Sequence, residues 1–176
     1  MNHIPLSLYV HIPWCIKKCP YCDFNSHVAR QEIPEERYLN ALISDFKQHL
    51  CYLQKRKIDT VFIGGGTPSL MSARFYERLM ATIAPYLAEN AEITLEANPG
   101  TLDFSDRKFA EYREIGINRL SIGIQSLQDE KLQYLGRMHS SENALQAIDY
   151  AKQAGFDNFN CDLMFGLTDQ TIDDAL

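Results

Sequence analysis

Cys15, Cys19 and Cys22 fall within eight residues of one another in "WCIKKCPYCDF", and they are three of the five cysteines in the chain. Thiolates spaced C-x3-C-x2-C on one loop can converge on a single metal centre. A structural zinc site normally takes four protein ligands. Only His11 and His27 stand near enough in sequence to be a fourth, and at unusual spacings. A cubane iron–sulfur cluster held by three cysteines accounts for the count better, with its fourth iron open to a small-molecule ligand. A zinc knuckle is the alternative. Cys51 and Cys161 stand alone, in a helical and a strand pattern, and read as buried small hydrophobes.

The elements that must position these groups alternate along the chain. "LSLYVHIP", "IDTVFIGG" and "EITLEANP" read as strands, the last stopped by Pro99. "PEERYLNALISDFKQHLCYLQKR" places Tyr38, Leu39, Leu42, Ile43, Phe46, Leu50 and Leu53 at helical spacing, and "SARFYERLMATIAPYLAE" repeats the stripe with Phe75, Leu79, Met80, Ile83 and Leu87. A weak internal repeat follows. "FAEYREIGINRLSIGIQS" and "DYAKQAGFDNFNCDLMFG" each run from a helix through a glycine (Gly116, Gly155) into a strand, 39 residues apart.

Strands alternating with helices imply a parallel sheet with helices outside. The expectation is an α/β fold, a partial (β/α) barrel of five strands and at least four main helices. "TIDDAL" reads as the opening turn of a further helix. In such barrels chemistry sits at the carboxyl ends of the strands. The cysteines follow strand one, Gly64–Ser69 follows strand two, Glu96 ends strand three, Gln125 ends strand four and Asp162 lies in strand five. No linker or second domain is legible, so residues 1–176 read as a single domain.

The totals exclude several classes. At 176 residues, 45% hydrophobic and 23% charged, the chain has the composition of an ordinary globular protein. A net charge of −6 argues against nonspecific binding to nucleic acid or anionic lipid. Lys17-Lys18 and Lys55-Arg56-Lys57 read as solvated basic patches. No run approaches the roughly 20 apolar residues of a membrane-spanning helix. "MNHIPLSLYV" carries no signal-peptide pattern. A cytoplasmic location is expected, where thiols stay reduced and an odd cysteine count suits metal or redox chemistry better than disulfides.

With the aromatic Tyr21 just before the last cysteine, the C-x3-C-x2-C loop after strand one resembles the radical S-adenosylmethionine superfamily. "YVHIPWCIKKCPYCDF", with "GGGTPS", "EANP", "GIQS" and "DLMFGL" in order, resembles the oxygen-independent coproporphyrinogen III oxidase family over essentially the whole chain. The resemblance implies a 4Fe-4S cluster on Cys15, Cys19 and Cys22. It also implies S-adenosylmethionine on the open iron, cleaved reductively to a 5′-deoxyadenosyl radical, with the protein positioning the reactants.

The resemblance further assigns Tyr9, Tyr21, Gly65 and Glu96 to this S-adenosylmethionine, Gly65 near its amino group and Glu96 facing it with a carboxylate. The glycines equally suit a tight βα turn, and no Gly-Lys-Ser/Thr follows to make a phosphate loop. Tyr9 equally suits strand packing. Gly66, Thr67, Gln125, Arg137 and Asp162 match a second S-adenosylmethionine site. They could also line an empty barrel mouth, and Arg137 could pair with a tetrapyrrole propionate. His11 has a family counterpart, and packing with a local hydrogen bond is as good a reading.

Two departures matter. The oxidases proper resemble C-x3-C-x2-C-x-C, whereas Phe24 stands at that last position. They also carry a substantial segment before strand one, where this sequence has about five residues. Both features resemble the HemW-type haem-chaperone branch, whose members run well beyond this length. The chain is therefore expected to be the amino-terminal part of such a protein, without its carboxy-terminal domain. That branch implies haem or porphyrin as cargo, a haem-acceptor protein and an electron donor. The competing expectations are an oxidase that decarboxylates propionates to vinyl groups, a zinc-binding structural module, and a radical enzyme acting on RNA.

Overall fold

The computed structural model describes residues 4–100 and 105–175. Five parallel strands form one sheet in sequential order: β1 (Ser7–Ile12), β2 (Ile58–Gly65), β3 (Leu87–Ala97), β4 (Arg119–Gln125) and β5 (Phe159–Leu163). The helices are α1 (Glu35–His49), α2 (Ala73–Ile83), α3 (Asp106–Ile115), α4 (Asp129–Tyr134), α5 (Ser141–Gln153) and α6 (Ile172–Ala175). Sequential parallel strands joined by helices are the pattern of a (β/α) barrel opened on one side. The turn read in "TIDDAL" is α6, and Leu176 lies outside the described residues.

The strands carry two alternating sets of side chains. Val10, Ile12, Val61, Ile63, Ile93, Leu95, Leu120, Ile122 and Ile124 are buried, and with Leu39, Phe75, Leu79, Ile83, Phe109, Ala144 and Ala147 from the helices they make one core. The intervening positions include Tyr9, His11, Thr94, Glu96, Arg119, Ser121, Gln125, Asn160 and Asp162. A doubly wound parallel sheet would be apolar on both faces. Here only the helix-covered face is, so the concave face is free to hold polar groups.

Local chemistry explains the element ends. Ser72, Ser105 and Ser140 cap α2, α3 and α5 by accepting a backbone N–H, and Ser140 does so within a reciprocal box with Asn143. Gly116 and Gly155 hold φ of +108° and +80° where α3 and α5 end, as the repeated glycines imply.

Three sequence readings change. The stripe ending at Leu87 overruns its helix: α2 stops at Ile83, Pro85 sits in a short 3-10 turn, and Leu87 already opens β3. Cys51 is exposed rather than buried, because α1 tightens into a 3-10 turn (Leu50–Leu53) that turns it outward. Cys161 is only half-buried.

Candidate functional site

The cysteine loop leaves β1 and is closed at its neck. Trp14 and Cys15 pair in parallel with His27 and Val28, and the amides of His27 and Ala29 donate to the carbonyls of Pro13 and Cys15. Lys18 spans the loop: its ammonium donates to the carbonyls of Phe24 (3.0 Å) and Ser26 (3.3 Å). Outside, Trp14 packs edge-on against Tyr38, whose hydroxyl donates to the His11 carbonyl. The loop is thus built from its own backbone, one lysine and an aromatic backing.

Gly64, Gly65 and Gly66 fit beside this loop because they lack side chains. A Cβ on Gly66 would lie 2.5 Å from the Trp14 carbonyl oxygen, and one on Gly65 would lie 2.6 Å from the His11 ring. A Cβ on Gly64 would lie 2.7 Å from the Phe62 ring and 3.1 Å from the Glu96 carboxyl. The amides of Gly66 and Thr67 instead donate to Ile12 and Trp14, stitching the glycine turn to the cysteine loop. Behind the turn, the buried hydroxyls of Tyr76 and Tyr112 donate to the carbonyls of Pro68 and of Ser69 and Met71.

A cavity of about 510 Å³ opens where these parts meet. That size suits a small organic ligand. Cys15, Cys19, Cys22, Tyr21, Gly66, Thr67, Glu96, Gln125, Arg137 and Asp162 all line it. Gly65 and Tyr9, singled out from sequence, do not. The Gly65 N–H points sideways to Glu96 Oε2 at 3.0 Å, and Tyr9 stands outside, 56% exposed, its ring 6.3 Å from that of the lining residue Phe62.

His11 has both ring nitrogens engaged within the chain, with the Tyr9 hydroxyl (2.8 Å) and the Asn25 carbonyl (2.9 Å). His27 is exposed at the loop neck. Among the described residues, no three His, Cys, Asp or Glu side chains are grouped to hold a single metal ion. Among the described residues, the cysteine side of the cavity offers three free thiols and no further Cys or His. That set fits a larger centre with one position given to a ligand.

The floor is acidic. Glu96 has its carboxyl pKa raised by burial above all, the nearby Asp162 adding to the effect while the Gly65 N–H and His11 oppose it. Asp162 accepts from the Ser121 hydroxyl (3.0 Å) and the Asn160 amide (2.8 Å). Two carboxylates facing one cavity favour a cationic occupant.

Gln125 holds φ at +70°, unusual for a residue with a side chain. The twist folds its amide back over Gly123, where a Cβ would come within 2.9 Å of Gln125 Nε2. Arg137 enters from the connection between α4 and α5. Its Nη2 donates to the Gly123 carbonyl (2.6 Å) and Asn98 Oδ1 (3.0 Å), and its Nη1 to Cys19 Sγ (3.7 Å) and the Tyr21 hydroxyl (3.5 Å). Burial raises the Tyr21 pKa, with Arg137 working against it.

Sequence reading missed Lys18, Phe62, Asn98, Ser121, Gly123 and Gly136. The signal for Phe62 and Ser121 was the period of two that places them on the same face as Gly64 and Gln125. Lys18 stood between two of the cysteines. Asn98 stood inside the quoted "EANP" without being singled out, and nothing local marks Gly136 as part of the site.

Comparison with known proteins bears on this constellation. The Radical SAM superfamily model matches residues 9–176. The chain is 49% identical over 174 residues to the heme chaperone HemW of Escherichia coli, covering 98% of this chain and 46% of that protein. It is also 49% identical over 178 residues to the heme chaperone HemW of Haemophilus influenzae, again covering 98% and 46%. Among solved structures, the coproporphyrinogen III oxidase (HemN) of Escherichia coli, described as a radical SAM enzyme, superimposes with a TM-score of 0.85 at 32% identity, covering 97% of this chain and 39% of that one. The chain thus spans about half the length of these curated relatives.

Proposed function

The chain belongs to the radical SAM superfamily, and from that premise we propose that it binds a 4Fe-4S cluster and S-adenosylmethionine within a haem chaperone that delivers haem to acceptor proteins. One observation carries the reading: a small-molecule cavity lined by three thiols and two carboxylates. Cys15, Cys19 and Cys22 would hold the cluster, which supplies an electron and an open coordination position. The Glu96 carboxylate suits an ammonium or ribose hydroxyl, and the ring of Tyr21 closes one wall. Gly65 acts indirectly, by fixing Glu96 through its N–H, and Tyr9 by backing Phe62. We assign Gly66, Thr67, Gln125, Arg137 and Asp162 to a second ligand, either another S-adenosylmethionine or a tetrapyrrole propionate. We take residues 1–176 as one barrel domain, acting in the cytoplasm with an electron donor.

Phe24 favours the chaperone over a decarboxylase. It lines the cavity and is 61% exposed, an apolar face where the oxidases proper have a further cysteine. Oxidase activity is the second reading, favoured by the close superposition on the coproporphyrinogen oxidase.

Anaerobic reconstitution tests the cluster. Iron and sulfide should bind near four per chain, as a 4Fe-4S centre requires, and be lost when Cys15, Cys19 and Cys22 become Ala; stoichiometric zinc without iron would refute it. Incubating the intact protein with coproporphyrinogen III, reductant and S-adenosylmethionine separates the two functions. No turnover with stoichiometric haem binding is expected, and catalytic protoporphyrinogen formation would overturn the chaperone reading.

A further inference from the structure

Arg137 touches both the cysteine loop and the ends of the inner strands. It lies 118 residues beyond Cys19 in sequence. One guanidinium nitrogen is committed to fixed scaffold, the carbonyl of Gly123 on β4 and Asn98 Oδ1 beyond β3. The other faces Cys19 Sγ and the Tyr21 hydroxyl. A second contact sits one residue earlier. Gly136, at φ +70°, lies so close to the loop that a Cβ there would come within 2.8 Å of Pro20 Cδ. The Gly136-Arg137 segment therefore lies on the tip of the cysteine loop, while Lys18 and the Trp14–His27 pairing hold only its limbs.

We propose that Arg137 is a positioning residue for the cluster: it fixes the tip of the cysteine loop, and with it Cys19, against β3 and β4. The planar fork matters because it reaches two directions at once; a lysine is a single point donor and cannot bridge them. The two contacts to the loop are long, 3.7 and 3.5 Å, and act on its tip together with the Gly136–Pro20 packing, while the short bonds anchor the guanidinium to the scaffold. The guanidinium also places a positive charge beside a ligating sulfur, which favours the more negative, reduced state of whatever centre the thiols hold. This role rests on the cluster reading only for that last point; ordering of the loop is a property of the empty protein.

The test uses the intact protein in two states. Without cluster, hydrogen exchange of the Ile16–Phe24 amides should quicken by roughly 2- to 10-fold in Arg137→Ala, the size expected for losing one hydrogen bond of ordinary net strength. Protection of α2 should stay unchanged, Asn98→Ala should loosen the same amides in part, and Arg137→Lys should not restore them. With cluster, the midpoint reduction potential should fall in Arg137→Ala and recover partly in Arg137→Lys, where the charge returns without the fork. Unchanged loop exchange in Arg137→Ala overturns the proposal, as does loss of α2 protection in both Arg137→Ala and Arg137→Lys, which would make Arg137 a general fold residue. If wild-type protein takes up no cluster, the cluster reading fails, and the exchange experiment still decides the ordering.

Discussion

Gln125 spends stability at the cavity. A left-handed backbone costs a residue bearing a Cβ roughly 1–2 kcal/mol, and such strain gathers at functional sites. Gln125→Gly should therefore raise stability to denaturant by up to about 1 kcal/mol, while weakening binding of the ligand its amide faces; equal loss of both would mean the strain serves the fold. Glu96 presents the same conflict through charge. Its raised pKa means that its contribution to stability is fullest below the ordinary carboxyl pKa and is lost as pH rises through the raised value. Glu96→Gln should therefore melt no lower than wild type at neutral pH, since its amide oxygen still accepts the Gly65 N–H. Its affinity for S-adenosylmethionine should fall by roughly 10-fold, the loss of one charged partner. In the wild type that affinity should weaken on acidification sooner than an ordinary carboxylate would allow. Isothermal titration across pH reads both effects.

At the scale of the element, two glycines make a controlled comparison. Gly155 ends α5 at positive φ with nothing near a Cβ, so Gly155→Ala should cost about 1–2 kcal/mol from backbone strain alone. Gly66 meets the Trp14 carbonyl, so Gly66→Ala must push the glycine turn off the cysteine loop. It should cost about 1–3 kcal/mol and lower the iron bound per chain as well, whereas Gly155→Ala should leave iron uptake intact. The connection from α4 to α5 carries a further test. His139 is buried, its Nε2 donating to the Ile124 carbonyl, and burial and Arg137 together lower its pKa to about 4. The unfolded chain takes up that proton near the ordinary histidine value, about 6.5, so its contribution to stability is full above that value and is lost as pH falls from there toward 4. Melting temperature should drop through this window, and His139→Gln should flatten the slope.

For the molecule as a whole, the alternation of strands and helices was legible because each repeat carries its own punctuation. The glycines after α3 and α5 and the apolar runs of β2 and β4 fix the order, and order fixes a parallel sheet. The three cysteines and the strand-end residues were legible for the same reason, since loops after parallel strands share one rim. Arg137's hold on Cys19 was not, because it depends on how the α4–α5 connection folds back across the rim, and no local pattern encodes that. Nor was the Gly65 N–H bond to Glu96, since a motif does not say which way an N–H points. The one-sided sheet has a broader consequence. Its stability is written almost entirely in the letters that face the helices, and its chemistry in the letters between them. Mutational drift can therefore rewrite the inward set with little threat to the fold, which makes the frame a ready source of new specificities, provided the glycines that let the strands and the loop approach one another are kept.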